Sequence, residues 1–172
     1  MSEYQIREAK PQEYGQIGAL MVEVYSQLEG FPKKDEQPEY YQLLANIGTL
    51  TNKPSVKLLA AVNSEGKLGG AVVYIGDMQH YGSGGTATRE KNAGGFRLLA
   101  VDPKTRGKGL GKALTQACIQ LAKKEKQQQL IIHSTQAMQT AWKMYEKMGF
   151  ARSEDLDFLQ GNFPVYGFRL KL

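Results

Sequence analysis

A chain of 172 residues and 19.1 kDa suits one domain spanning 1–172 and is too short for two ordinary ones. A composition 41% hydrophobic and 23% charged excludes a disordered chain, and a single cysteine, Cys118, excludes an internal disulfide and a cysteine-built metal cage. No apolar run approaches the roughly 20 residues of a membrane span, and the opening Met-Ser-Glu-Tyr-Gln lacks a signal-peptide core, so a soluble, cytoplasmic protein with no membrane partner is expected.

The formal net charge is +5, and its position says more than its size. Residues 97–126 carry eight basic side chains against two acids, Asp102 and Glu125, which leaves the rest of the chain slightly acidic. A localised positive field points to an anionic partner. Lys123, Lys124 and Lys126 read instead as a solvated helix face.

No internal repeat or low-complexity tract interrupts the chain. Residues 4–9 read as a first strand. Pro11 opens a helix whose Ile17, Leu20, Met21, Val24 and Leu28 keep helical spacing, with Gly30 as its stop. Phe31–Pro38 is a charged loop, and a second short helix runs from Pro38 to about Leu50. Val56–Val62 and Leu68–Ile75 are strands joined by a hairpin linker, Asn63-Ser64-Glu65-Gly66-Lys67. Residues 76–95 form a long glycine-rich connection. Phe96–Val101 is a strand closed by Asp102-Pro103.

Gly109–Lys126 is the clearest helix. Its Leu110, Ala113, Leu114, Ala117, Cys118 and Leu121 form one apolar stripe, which places Cys118 in the core. Leu130–His133 is a strand, and Thr135 caps a helix that runs to Met148 and stops at Gly149. Strands at about Phe150–Phe158 and Val165–Leu172 end the chain. This order predicts an α/β (α+β) fold around one sheet.

The most informative stretch is Leu98-Leu-Ala-Val-Asp-Pro-Lys-Thr-Arg106-Gly-Lys-Gly-Leu-Gly111-Lys-Ala-Leu114, a strand that enters a glycine turn opening a helix. A helix N-terminus presents unpaired N–H groups and partial positive charge. Glycines at 107, 109 and 111 let the backbone approach a bulky anion, and Arg106, Lys108 and Lys112 add charge, so the expected ligand group is a phosphate. The spacing fits neither a Walker P-loop, because Ala113 follows Gly111-Lys112, nor a dinucleotide fingerprint, because the third glycine is misplaced.

The stretch from Arg106 to Gly111 resembles the acetyl-CoA motif of the GNAT superfamily of N-acetyltransferases. A second stretch, Ala141-Trp-Lys-Met-Tyr145-Glu-Lys-Met-Gly149-Phe150, resembles that family's Ala-x-x-x-Tyr-x-x-x-Gly-Phe signature. The likeness spans about residues 56–172. It implies a mixed, largely antiparallel sheet of about six to seven strands flanked by about four helices. It also implies acetyl-CoA as co-substrate, with transfer of the acetyl group by direct attack of a primary amine on a small molecule or peptide.

By the same resemblance, N–H groups from Gly107 to Gly111 (through Lys108, Gly109 and Leu110) hold the pyrophosphate. Leu99, Ala100 and Val101 take the pantetheine arm and polarise the thioester carbonyl. Tyr145 sits near the sulfur as acid, and Met138 stands where relatives place an asparagine contacting CoA. The family's common glutamate base falls at Gly95. Glu90, Asp77, His80 and His133 are the other candidates, and without any of them the rate follows the neutral fraction of the amine. The missing glutamate keeps a catalytically silent acyl-CoA-binding module as an alternative, and the basic character keeps a nucleic-acid-binding domain as a weaker one. No metal site has the right spacing. Asp35, Glu36, Asp77 and Glu90 lie in the loops expected to flank the acceptor, as attractors of a cationic amine or as solvated surface. A homodimer stays open.

Overall fold

The computed structural model describes residues 3–172. Strands β1 (Tyr4–Glu8), β2 (Val56–Asn63), β3 (Leu68–Ile75), β4 (Ala93–Val101), β5 (Gln129–Ser134), β6 (Ala151–Arg152), β7 (Phe158–Gln160) and β8 (Phe163–Lys171) alternate with helices α1 (Tyr14–Ser26), α2 (Pro38–Ala45), α3 (Leu110–Lys124) and α4 (Gln139–Lys147). The sheet order is β1-β2-β3-β4-β5-β8-β6, with β7 paired to β8. All pairings are antiparallel except β4–β5.

Both faces of the sheet are covered, which explains the near-continuous apolar runs of β2 and β3. Side chains alternate with period two between two cores. Leu58, Ala60, Val73 and Ile75 pack with Ile17, Met21 and Leu44 of α1 and α2. Leu59, Ala61, Val72 and Tyr74 pack with Leu114 and Cys118 of α3. Cys118 is fully buried there, as its spacing predicts.

Two features of β4 place the site. Its parallel pairing with β5 covers only Ala93–Gly95 against Gln129–Ile131, and beyond that point the two strands no longer bond. The pairing with β3 slips between Ala71 and Val73. There Leu98 adopts a left-handed φ of 60°, a β-bulge that turns Leu98 to the α1 side directly after Arg97.

The second helix ends at Ala45 and continues as a 3₁₀ stretch, Ile47–Asn52. The expected strand Phe150–Phe158 is instead β6, a 3₁₀ turn at Glu154–Leu156, and β7. The break has a cause: Asp157 accepts hydrogen bonds from Arg152 and from the Gly167 N–H and pulls the chain out of register. The sheet therefore has eight strands rather than six or seven.

Candidate active site

A cleft of about 590 Å³ runs from the turn at the N-terminus of α3, along β4, to a chamber under α1. At the turn, Gly107 and Gly109 take left-handed φ values of 85° and 76°. Such values favour glycine and bend the chain so that successive N–H groups converge. The main-chain N–H groups from Arg106 to Lys112 donate to no other described residue; the first helical bond of α3 is Ala113 N–H to Gly109 O. Arg106, Gly107, Gly109, Leu110, Gly111 and Lys112 all line the cleft. A polyanion fits this cradle of free donors and of two cations, Arg106 and Lys112, that pair with no acid among the described residues.

Lys108 does not line the cleft. Its ammonium is 2.6 Å from Glu3 Oε1 and lies over the Tyr4 ring, so it faces β1 rather than the anion cradle. The Ala100 side chain also faces away from the cleft. The bulge at Leu98 turns its side chain into the core, 1% exposed, while its neighbours Leu99 and Val101 line the cleft. The Leu99 carbonyl accepts from Tyr25 Oη at 3.2 Å.

Where β4 and β5 part, Ser134 Oγ and Thr135 Oγ1 are buried with no hydrogen-bond partner among the described residues. Thr135 therefore does not cap the following helix, as its position suggests; its hydroxyl and that of Ser134 belong to residues lining the cleft. Burying a hydroxyl unpaired costs roughly 1–3 kcal/mol. The buried hydroxyls of these two cleft-lining residues fit a polar, amide-bearing arm such as pantetheine. Met138 lines the same stretch as an apolar contact.

Tyr145 stands on α4 with its ring edge-on to Phe96 and Phe150, at centroid distances of 5.8 and 5.7 Å. It is 5% exposed and lines the cleft. Its hydroxyl bonds to no described residue. Burial raises its pKa well above that of an ordinary phenol, so it stays protonated and can donate a hydrogen bond across the working pH range.

The four base candidates separate cleanly. Asp77 caps the turn at Met78–His80 and bonds Gln79, and Glu90 is ion-paired with Arg169. Neither these two nor His80 lines the cleft, and His133 does. Its Nε2 is 2.8 Å from the Leu156 carbonyl, which can only accept, so Nε2 carries hydrogen. Its Nδ1, 3.0 Å from Tyr81 Oη, is then the acceptor and Tyr81 donates. Burial, opposed by the Leu156 carbonyl, lowers the His133 pKa below its ordinary value of 6.5, so the ring is neutral near pH 7. Position 95 has no room for a side chain: a β-carbon there would lie 2.8 Å from both the Tyr81 ring and the Ile131 carbonyl.

Of the acids in the expected flanking loops, Asp35, Glu36, Asp77 and Glu90, none lines the cleft. The chamber is walled by Tyr25, Phe31, Tyr40, Phe158 and Phe163, and its cation is Arg97. Sequence reading missed Arg97, Tyr81, Ser134 and Tyr25 as cleft residues, since none belongs to a motif. Among the described residues no group of histidines, cysteines and carboxylates has the geometry to hold a metal, and no helix is long and apolar enough to cross a membrane.

Comparison with known proteins agrees with this geometry. Residues 56–172 match the family described as acetyltransferase (GNAT) domain. The fold is similar to that of a GNAT-family acetyltransferase from Staphylococcus aureus Mu50, with a TM-score of 0.74 at 16% identity over 98% of this chain and 99% of that one. It is also similar to the PaiA N-acetyltransferase of Thermoplasma acidophilum in complex with coenzyme A, with a TM-score of 0.73 at 16% identity over 100% of both chains. A third similar structure is a GCN5-related N-acetyltransferase from Kribbella flavida, with a TM-score of 0.72 at 17% identity over 99% of this chain and 98% of that one. A search of curated proteins finds no match. The chain belongs to the GNAT family of acetyltransferases.

Proposed function

We propose that this protein is a cytoplasmic N-acetyltransferase that holds acetyl-CoA along the cleft and passes the acetyl group directly to a primary amine seated in the aromatic chamber. The observation that carries this reading is the continuity of one cleft. Free N–H groups at Arg106–Lys112 open at one end, the orphan hydroxyls of Ser134 and Thr135 lie along it, and Tyr145 and His133 both line it. The pyrophosphate sits in the cradle with Arg106 and Lys112 beside it. The arm passes between Leu99–Val101 and Ser134–Thr135.

Acetyl transfer needs a neutral amine, a stabilised oxyanion and a leaving thiolate. The incoming ammonium gives a proton to Tyr81 as the Tyr81 hydroxyl proton moves to His133 Nδ1. The amine then attacks the thioester carbonyl, and a carbon–nitrogen bond forms. A main-chain N–H near Leu99–Val101 faces the oxyanion. Collapse breaks the carbon–sulfur bond, and the remaining excess proton on nitrogen ends on the thiolate. The Tyr145 hydroxyl stabilises the sulfur by hydrogen bonding during this step. Full transfer of the phenolic proton would run uphill, because burial raises the Tyr145 pKa while a thiol ionises at about 8.5.

The test is thiol release from acetyl-CoA with and without an amine panel, together with calorimetry of CoA binding. Amine-dependent release is expected. CoA binding with no amine-dependent release would replace the transferase by a silent acyl-CoA-binding module.

A further inference from the structure

Among the described residues, Arg97 is the one charged residue lining the acceptor end of the cleft; the other two cations, Arg106 and Lys112, belong to the turn at the N-terminus of α3. Arg97 Nη1 donates to the Tyr81 carbonyl at 2.9 Å, which uses one of the five guanidinium donors. No carboxylate lies within ion-pair distance of it among the described residues. Gly82 leaves room for this head group: a β-carbon at position 82 would come 2.8 Å from Nη1. The guanidinium is close enough to Tyr25, Tyr40, Tyr81 and His133 for its charge to act on each of them.

A partly buried guanidinium with spare donors and no counter-ion is half of a recognition pair. A polyamine would meet a cation and no carboxylate in this chamber, so desolvating it would go uncompensated. The walls select further. Phe31 is packed against Tyr25, Tyr40 and Phe163 with ring centroids 5.5–5.7 Å apart, an apolar surface suited to a hydrophobic or aromatic body.

We infer that the acceptor is an α-amino acid with an apolar or aromatic side chain, its carboxylate held by Arg97, its side chain among the chamber aromatics and its amine directed at the thioester. Such a zwitterion enters with no net charge, and the carboxylate supplies the partner that Arg97 lacks. The inference rests on the transferase reading above and narrows it to one acceptor class.

The decisive comparison uses a matched pair, L-phenylalanine and phenethylamine, which differ by the carboxylate, with spermidine as a polycation. Thiol release should give a kcat/KM for phenylalanine at least about 10-fold above that for phenethylamine, and spermidine should be the poorest of the three. Arg97→Gln should abolish the preference, and Arg97→Lys should restore part of it. Both variants should keep wild-type CoA affinity, since Arg97 lies outside the phosphate cradle. Equal or better use of phenethylamine or spermidine by the wild type overturns the inference, as does a preference that survives in Arg97→Gln. Calorimetric titration of the CoA-loaded protein with the same pair reads the site without turnover. Tighter binding of phenylalanine without acetylation would uphold the site and overturn the transferase reading. Acetylation of phenethylamine with no binding advantage for phenylalanine would do the reverse.

Discussion

At one end of the cleft the ligand-facing groups are main-chain N–H groups of a single contiguous turn, 106–112; at the other they are side chains brought together from α1, the segment after β3, β4, β5 and β7. On the proposed reading the turn binds phosphate through backbone geometry, so its chemistry would not depend on which acceptor is used. The chamber is lined by Arg97, His133 and aromatic rings that are distant in sequence, and these are the groups proposed to recognise the acceptor. Damage at the first end should therefore remove the cofactor for every acceptor. Damage at the second should alter rate, pH dependence or selectivity and leave cofactor affinity intact.

The largest effect is expected at the turn. At Gly109 a β-carbon would meet nothing within 4 Å, but φ is +76°. Gly109→Asp therefore strains the backbone by roughly 1–2 kcal/mol and sets a carboxylate among the N–H groups proposed to hold the pyrophosphate. Calorimetry should show CoA affinity weakened by at least about 100-fold, with circular dichroism unchanged. Unaltered affinity would mean that the phosphates lie elsewhere.

The next effect separates chemistry from binding at the middle of the cleft. Tyr145→Phe keeps the ring between Phe96 and Phe150 and removes only the hydroxyl. Turnover should fall about 10- to 100-fold, the loss of one aimed hydrogen bond, while CoA affinity stays near wild type. Because burial raises the Tyr145 pKa, activity should show no falling limb from this phenol through pH 10. A variant that turns over like wild type would make Tyr145 a core residue only.

The same contrast explains what was legible in the sequence. The turn could be read because its glycines, cations and following helix are adjacent in the chain. Tyr145 could be read through a second local motif. Lys108 could not, because its pairing with Glu3 crosses 105 positions and follows from the docking of β1. Which side chains of Leu99–Val101 face the cleft could not be read, because the bulge at Leu98, a left-handed residue that no composition rule marks, resets the strand alternation. Phe150–Phe158 has the apolar ends of a strand, yet Asp157 finds Arg152 and Gly167 as partners and the segment turns. Arg97 looked like one more basic residue in a charged window. Only the absence of carboxylates around it among the described residues, a tertiary fact, suggests the role inferred for it.

The smallest effect is expected at His133, and pH separates a base from a structural pair. The groups facing its ring are Tyr81, Arg97 and Asp157, with the Leu156 carbonyl on Nε2. Burial depresses its pKa below 6.5, so the neutral, proton-accepting form persists to lower pH than in solution. Folding stability linked to His133 is present above about 6.5 and is lost as pH falls through the lower folded value. For catalysis the sign is the same: turnover at saturating acceptor rises as His133 loses its proton, at a lower pH than a free imidazole would give. That limb belongs to the enzyme and should fall at one pH for an α-amine of pKa about 7.7–8.0 and for an alkyl amine near 10.4. His133→Gln, which keeps a hydrogen-bonding side chain, should slow turnover about 10-fold at pH 7. In that variant the limb should move up to follow the pKa of each amine. If the wild-type limb already follows the amine, the proton leaves to solvent before binding, and the Tyr81–His133 pair is a strut beneath the chamber.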